Sequence, residues 1–416
     1  LRGDHWNVIE AGDGESGLAK AAEHCPDVIL CDWLAPRVNG YQVCRAVRED
    51  LQLRHTKMIV LADRDYSADR KSAEAAGAAG YLVKPINLYR LQETLAGVPC
   101  AEGPGELPAD SAPETVSGGA ARVKFWGVRG SIPTPGPGTV FFGGNTSCVE
   151  IRADGEHLVC DAGSGIRALG MALAEEFNGR PVTLTLLVTH THWDHIQGFP
   201  FFVPAYQPHN HLRILGYAGV SESLHGTLAG QMESPYFPVA LDEMPGNIEI
   251  EELKETEFSV GSIPVRAFFT SHPGVCAGYR FETSAGSIVY MPDHETQCAP
   301  TARPCALTKR REASTCDFIE DADLVILDAQ YTAEEYQAHI DWGHGCVDEV
   351  VHLAIAARVK RLFLFHHDPA HDDCFISGMV AHARQLAATA GSPVQIEAAR
   401  EGEQVVLAPH RADPGR

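Results

Sequence analysis

The segment that most limits what this chain can fold into is TLTLLVTHTHWDH, residues 183–195, where an apolar run passes without a break into His190, His192, Asp194 and His195. Such a run is a buried strand, and four chelating side chains cannot follow it into a core without partners. The chain must turn at the strand's end and gather imidazoles and a carboxylate on one tight loop. At this spacing His190 and His192 can share one ion while Asp194 and His195 turn to a second. The donor set suits Zn²⁺, with Mn²⁺ or Fe²⁺ as alternatives. The placement recurs: His272 ends VRAFFTSH, Asp293 ends SIVYMPD and His366 ends RLFLFH.

Around these residues the text alternates strands and turns from Val123 onward, with helical stretches near 166–177, 347–358 and 378–390, which predicts a mixed, layered α/β fold. Upstream, residues 97–121 are Pro, Gly, Ala and acid without apolar periodicity, the composition of a flexible linker. The expected organisation is thus 1–96, a linker at 97–121, and 122–416. Charge divides the same way. Lys+Arg number 33 against 55 Asp+Glu, a net charge of −22; residues 122–416 hold 37 acids and 21 bases, and only 3 of the 20 His precede residue 97. An acidic surplus of that size repels polyanions and argues against nucleic acid as a partner. No run of about 18 apolar residues and no signal-peptide pattern is present, so a soluble, cytoplasmic protein without membrane contact is expected. The 12 Cys include no CxxC pair, which reads as free thiols; the loose group Cys298, Cys305 and Cys316 fits no zinc spacing. The basic run Lys309-Arg310-Arg311 reads as a solvated loop in an insertion between Pro300 and Thr315.

Residues 1–96 alternate short apolar strands (NVIEA, DVILCDW, KMIVLAD, GYLVKP) with helical periods, which predicts a parallel, doubly wound sheet. Asp32 ends one strand, Pro36 and Gly40 follow it at four and eight residues, and Lys84-Pro85 ends the last strand with Tyr81 three residues earlier. This constellation resembles the receiver domain of two-component response regulators, a flavodoxin-like fold. The resemblance implies that Asp32 is the phosphoacceptor, Lys84 pairs with the phosphoryl group and Tyr81 is the switch aromatic. It also implies a sensor histidine kinase as partner and a homodimer. Two positions depart from the pattern. Ala62 stands where receivers carry Thr or Ser, and a first strand bearing the acidic pair for Mg²⁺ is expected ahead of Leu1, so that Mg²⁺ would serve phosphorylation in a chain with its full N-terminus.

Residues 122–416 resemble the metallo-β-lactamase superfamily, an αββα fold, and within it the branch of ribonuclease Z and the cyclic-phosphate phosphodiesterases. WGVRGSIPTPG, FGGNTSCVEI, VCDAGSG, THTHWDH and HGCVDEVVHLAIAARVKRLFLFHHDP carry the likeness. It implies that His190, His192 and His272 hold one metal, Asp194, His195 and His366 a second, and that Asp293 bridges them. His344 would steady the phosphate and protonate the leaving oxygen. His367 competes with His366 as ligand, and His366 is preferred because neighbouring strand residues point oppositely. Asp161, Asp328 and His371 are expected to support the ligands.

The expected activity is hydrolysis of a small phosphodiester, a cyclic nucleotide or cyclic sugar phosphate, by a metal-bridged hydroxide, as the output of a two-component signalling protein. Asp194 and His344 are the expected catalytic residues. The alternatives are a ribonuclease Z-type RNA or tRNA endonuclease and a lactam or thioester hydrolase.

Overall fold

The computed structural model describes residues 8–32, 38, 40–50, 53–62, 70, 73, 76–84, 86, 119–219, 222–296 and 306–409. The chain divides into two units, Leu1–Ala109 and Asp110–Arg416.

In the first unit, β1 (Val28–Asp32), β2 (Lys57–Ala62) and β3 (Gly80–Val83) form a parallel sheet in that order. Met58, Ile59 and Val60 are all fully buried, as strands covered on both faces require. The helix Gly14–His24 begins where the Asp13 side chain accepts from Ser16 N, and Cys25 ends it in a left-handed conformation. The helix Gly40–Glu49 buries Val43, Cys44 and Val47, one face of a helical turn, in a cluster with Cys31 of β1 and Met58 and Val60 of β2. The expected strand at NVIEA is not found: residues 8–11 are not in a strand. A strand needs a neighbour to bond, and the ladder among the described residues runs only from β1 to β3. Pro36, Pro85 and the expected last helix from Asn87 lie outside the described residues.

Among its described residues the second unit contains two seven-stranded sheets. β4 (Ala121–Gly127), β5 (Cys148–Ala153), β6 (Glu156–Cys160), β7 (Thr183–Leu187), β8 (His211–Gly216), β9 (Asn247–Glu252) and β17 (Gln404–Leu407) form one, in the order 17-4-5-6-7-8-9. β10 (Glu257–Val260), β11 (Ile263–Phe269), β12 (Ala277–Thr283), β13 (Gly286–Met291), β14 (Leu324–Asp328), β15 (Arg361–Phe365) and β16 (Gln395–Ala398) form the other in chain order. Each sheet starts antiparallel and finishes parallel, with the change at β6–β7 and at β13–β14. β4 starts at Ala121, the last residue of the expected linker.

Alternation decides the layers. Ile288 and Tyr290 of β13, with Ile326 of β14, face Phe125, Ile151 and Leu158 of the other sheet, while Val289, Met291, Val325 and Leu327 face outward under helices Val347–Ala356 and Asp373–Thr389. The first sheet is covered likewise by helix Ile166–Phe177. Helix, sheet, sheet, helix is the resulting order, the expected αββα architecture. The third helix begins earlier than expected, at Asp373, because the Asp372 side chain caps it by accepting from Phe375 N. The expected loop at Lys309-Arg310-Arg311 is a helix, Ala306–Ile319. Phe318 and Ile319 in its last turn pack into the core under β13 and β14, and that burial outweighs the basic run's preference for solvent.

Candidate metal centre

Parallel strands end together, so whatever follows them converges. His190 and His192 follow β7, Asp293 follows β13 and His366 follows β15; His272 lies three residues past β11. His190 Nε2 and His272 Nε2 approach His192 Nδ1 to 2.9 and 3.0 Å. Asp293 Oδ2 lies 3.8 Å from His190 Nε2 and 3.6 Å from His272 Nε2. A second group adjoins the first: His195 Nε2 and His366 Nε2 lie 3.3 and 3.1 Å from Asp194 Oδ2, and 3.1 and 3.4 Å from Asp293 Oδ1. One oxygen of Asp293 therefore faces each group.

The outer contacts fix which ring nitrogens point inward. The Gly343 carbonyl can only accept, so His272 Nδ1 donates to it at 2.9 Å and Nε2 presents a lone pair to the cluster. His195 Nδ1 donates to Asp161 Oδ2 at 2.8 Å. His366 Nδ1 meets Gln330 Oε1 at 3.1 Å, and His190 Nδ1 meets Thr189 Oγ1 at 3.1 Å. Asp161 is itself held by Thr189 N and the Tyr290 hydroxyl, each at 2.8 Å.

Lone pairs that converge at such distances repel unless a cation lies between them. His195 Nε2 and Asp293 Oδ1 add a second sign: both are buried, and neither makes a hydrogen bond of acceptable angle. The donors therefore fit divalent cations, and the fold implies divalent metal binding. Burial pushes His190, His192 and His272 below the ordinary imidazole pKa, which keeps them in the neutral, ligating form. Burial opposes ionisation of Asp194 and Asp293, yet the surrounding imidazoles outweigh it and hold both carboxyls well below the ordinary range.

Backbone shape serves these positions. His366 adopts φ 61° and Asp161 also φ 61°, a left-handed conformation uncommon for residues with a Cβ. A Cβ on Gly130 would stand 2.4 Å from His366 Nδ1, and one on Gly343 2.5 Å from His272 Nδ1. The glycines of WGVRGS and WGHGC are thus what lets two histidines pack as they do. Ser131 N, just beyond Gly130, donates to Asp194 Oδ2 at 2.8 Å.

His344 stands over the centre, its ring stacked on His366 at 4.9 Å between centroids, with Nδ1 2.8 Å from Asp328 Oδ2. Asp161 and Asp328 support His195 and His344. His371 turns elsewhere: its Nε2 meets Glu335 Oε1 at 2.8 Å and its ring stacks on Phe375. His367 turns to the Ala399 carbonyl at 2.9 Å. The orienting groups Thr189, Gln330, Tyr290 and the Gly343 carbonyl were not anticipated. Cys298 and Cys305 lie outside the described residues, and Cys316 packs against the apolar core.

In the first unit Asp32 ends β1 and its Oδ2 is paired with Lys84 Nζ. Tyr81 lies on β3, its ring centroid 4.9 Å from the Arg70 guanidinium carbon, and Ala62 ends β2, buried.

Fold and site together define an αββα architecture with a candidate divalent-metal centre at the ends of its strands. The beta-lactamase superfamily domain matches residues 157–367, and the chain belongs to that superfamily. A response regulator receiver domain matches residues 1–96. The Response regulator PleD of Caulobacter vibrioides is 36% identical over 87 residues, covering 21% of this chain and 19% of its own length. The chain thus spans about a fifth of that relative. The metallo-beta-lactamase fold protein YhfI of Bacillus subtilis superposes with a TM-score of 0.50 at 18% identity, covering 69% of this chain and 99% of that one. The short form of human tRNase Z gives a TM-score of 0.48 at 19% identity, covering 69% and 99%. Among the described residues no helix is long and apolar enough to cross a membrane.

Proposed function

We propose that the second unit is a two-metal phosphodiesterase acting on a small phosphodiester, such as a cyclic nucleotide or cyclic sugar phosphate, and that the receiver unit governs it through Asp32. The observation that carries the reading is Asp293, whose two oxygens face two separate groups of imidazoles. His190, His192 and His272 would hold one ion and Asp194, His195 and His366 the other, with Asp293 shared. Ions held by these residues would supply a water of lowered pKa and positive charge against the reacting phosphate.

The chain's own part in the reaction is proton handling and orientation. His344 gives Nδ1 to Asp328, which leaves Nε2 as the nitrogen that can protonate a departing alkoxide. Asp328 is itself fixed, with His294 N at 3.1 Å and Gln330 N at 3.0 Å, so the imidazole it holds cannot swing away. The net charge of −16 over residues 122–416 favours a substrate of low charge over a long RNA. In the receiver unit, Lys84 beside Asp32 would pair with an added phosphoryl group and Tyr81 would report it.

Metal analysis of the full chain combined with a screen of bis-p-nitrophenyl phosphate, cyclic nucleotides, RNA and a lactam tests the reading. Two ions per chain with turnover of the small diesters is the expected result. Two ions without any diester turnover would overturn it.

A further inference from the structure

Beside the metal centre lies a cavity of about 450 Å³, within the range of small-molecule sites. His272 belongs to both: its Nε2 faces His192, while the residue also lines the cavity. Phe268 and Phe269 supply apolar wall, Thr315 a hydroxyl, and Glu295 and Asp341 two carboxylates; among the described residues lining it there is no Lys or Arg. Glu295 is 7% exposed. Its Oε1 accepts from the Tyr336 hydroxyl at 2.6 Å and Asp341 N at 2.8 Å, and its Oε2 from Gly343 N at 3.0 Å. All three donors are neutral, so they orient the carboxylate without compensating its charge.

We propose that this cavity receives the organic arm of the diester and selects an arm that donates hydrogen bonds and carries no negative charge. The inference rests on the phosphodiesterase reading. A hydroxyl-bearing sugar or nucleoside and an amine- or ammonium-bearing group share that chemistry. An arm with its own carboxylate or phosphate would meet two like charges, each weakening binding by about three- to tenfold.

The test uses the full, metal-loaded chain and three p-nitrophenyl phosphodiesters whose second arm is thymidine, choline or a carboxylate-bearing alkyl group. KM for the anionic arm should exceed both others in the wild type. Which of the two remaining arms binds better identifies the source. Asp341→Asn, compatible with the left-handed backbone at that position (φ 68°), should reduce the ratio of KM between anionic and thymidine arms by about three- to tenfold. An unchanged ratio overturns the proposal. Thermal shifts with free thymidine, choline and glycolate provide a readout independent of turnover. If no diester is hydrolysed but the shifts follow the same order and respond to Asp341→Asn, the phosphodiesterase reading fails while the cavity's selectivity stands; shifts blind to charge and to the substitution remove the selectivity itself.

Discussion

His344 Nδ1 lies 2.8 Å from Oδ2 of the wholly buried Asp328. Burial works against a charged ring, but the Asp328 carboxylate, aided by Asp293 and Asp194, outweighs it and pushes His344 up to about 9. A ring that acts as an acid works only while protonated, so its contribution is present below its pKa and lost as pH rises through it. Asp328→Asn should move the basic limb of the kcat–pH profile to lower pH. His344→Ala should lower kcat by about 10²–10⁴ while both ions stay bound. Full turnover by the alanine variant at unchanged ion content would remove the role assigned to His344.

Asp161 touches no proposed ion, yet it orients His195 through a 2.8 Å bond and is anchored by Thr189 and Tyr290. Asp161→Asn keeps the volume and weakens the grip on the imidazole tautomer. Metal affinity should fall by about 10- to 100-fold for one of the two ions. Stepwise dialysis against a chelator, followed by metal counting, should show one ion leaving ahead of the other in the variant and together in the wild type.

Gly130 carries no side chain, and that absence is what places His366. The added methyl of Gly130→Ala would sit 2.4 Å from His366 Nδ1, so ring or backbone must shift. The variant should keep its far-ultraviolet circular dichroism, since the sheets are built from other residues, and should bind fewer ions than the wild type. Wild-type ion content and activity would show that the loop after β15 can yield without disturbing the ligand.

The ligands were legible because each apolar run stops at a chelating residue or one residue short of it: LTLLV then Thr189 before His190, SIVYM then Pro292 before Asp293, RLFLF directly before His366. Of what orients those ligands, Asp161 at the end of HLVC was legible and the other groups were not. A hydrogen bond from an imidazole to the Gly343 carbonyl or the Gln330 amide leaves no periodic mark, because it depends on the registry of distant strands. Four strands of the second unit leave no clear mark in the sequence, for a different reason. β10, β16 and β17 are four residues long and lie at sheet edges, where one side has no neighbour and the pattern is short and half polar. β12 was masked by the buried Arg280, whose guanidinium reaches the Phe318 and Glu320 carbonyls.

Away from the centre, Glu150 on β5 gathers Trp126 Nε1 at 2.8 Å, Arg152 Nε at 2.7 Å and His157 Nε2 at 2.8 Å around a buried carboxylate. Burial raises its pKa, but His157, Arg152 and Trp126 together outweigh that and hold it down at about 2, against 4.5 for a free glutamate. A folded-state pKa below the unfolded one stabilises at pH above the unfolded value and is lost as pH falls through the folded one. The linkage contribution is about 3 kcal/mol near neutrality, less than half of that by pH 3, and close to nothing below pH 2. Glu150→Gln should therefore lower the urea midpoint of the second unit's transition at pH 7, and the gap between variant and wild type should close between pH 5 and pH 2. Trp126, bonded to the carboxylate, is the natural fluorescence reporter. A gap independent of pH would mean that Glu150 stabilises by packing, not by charge.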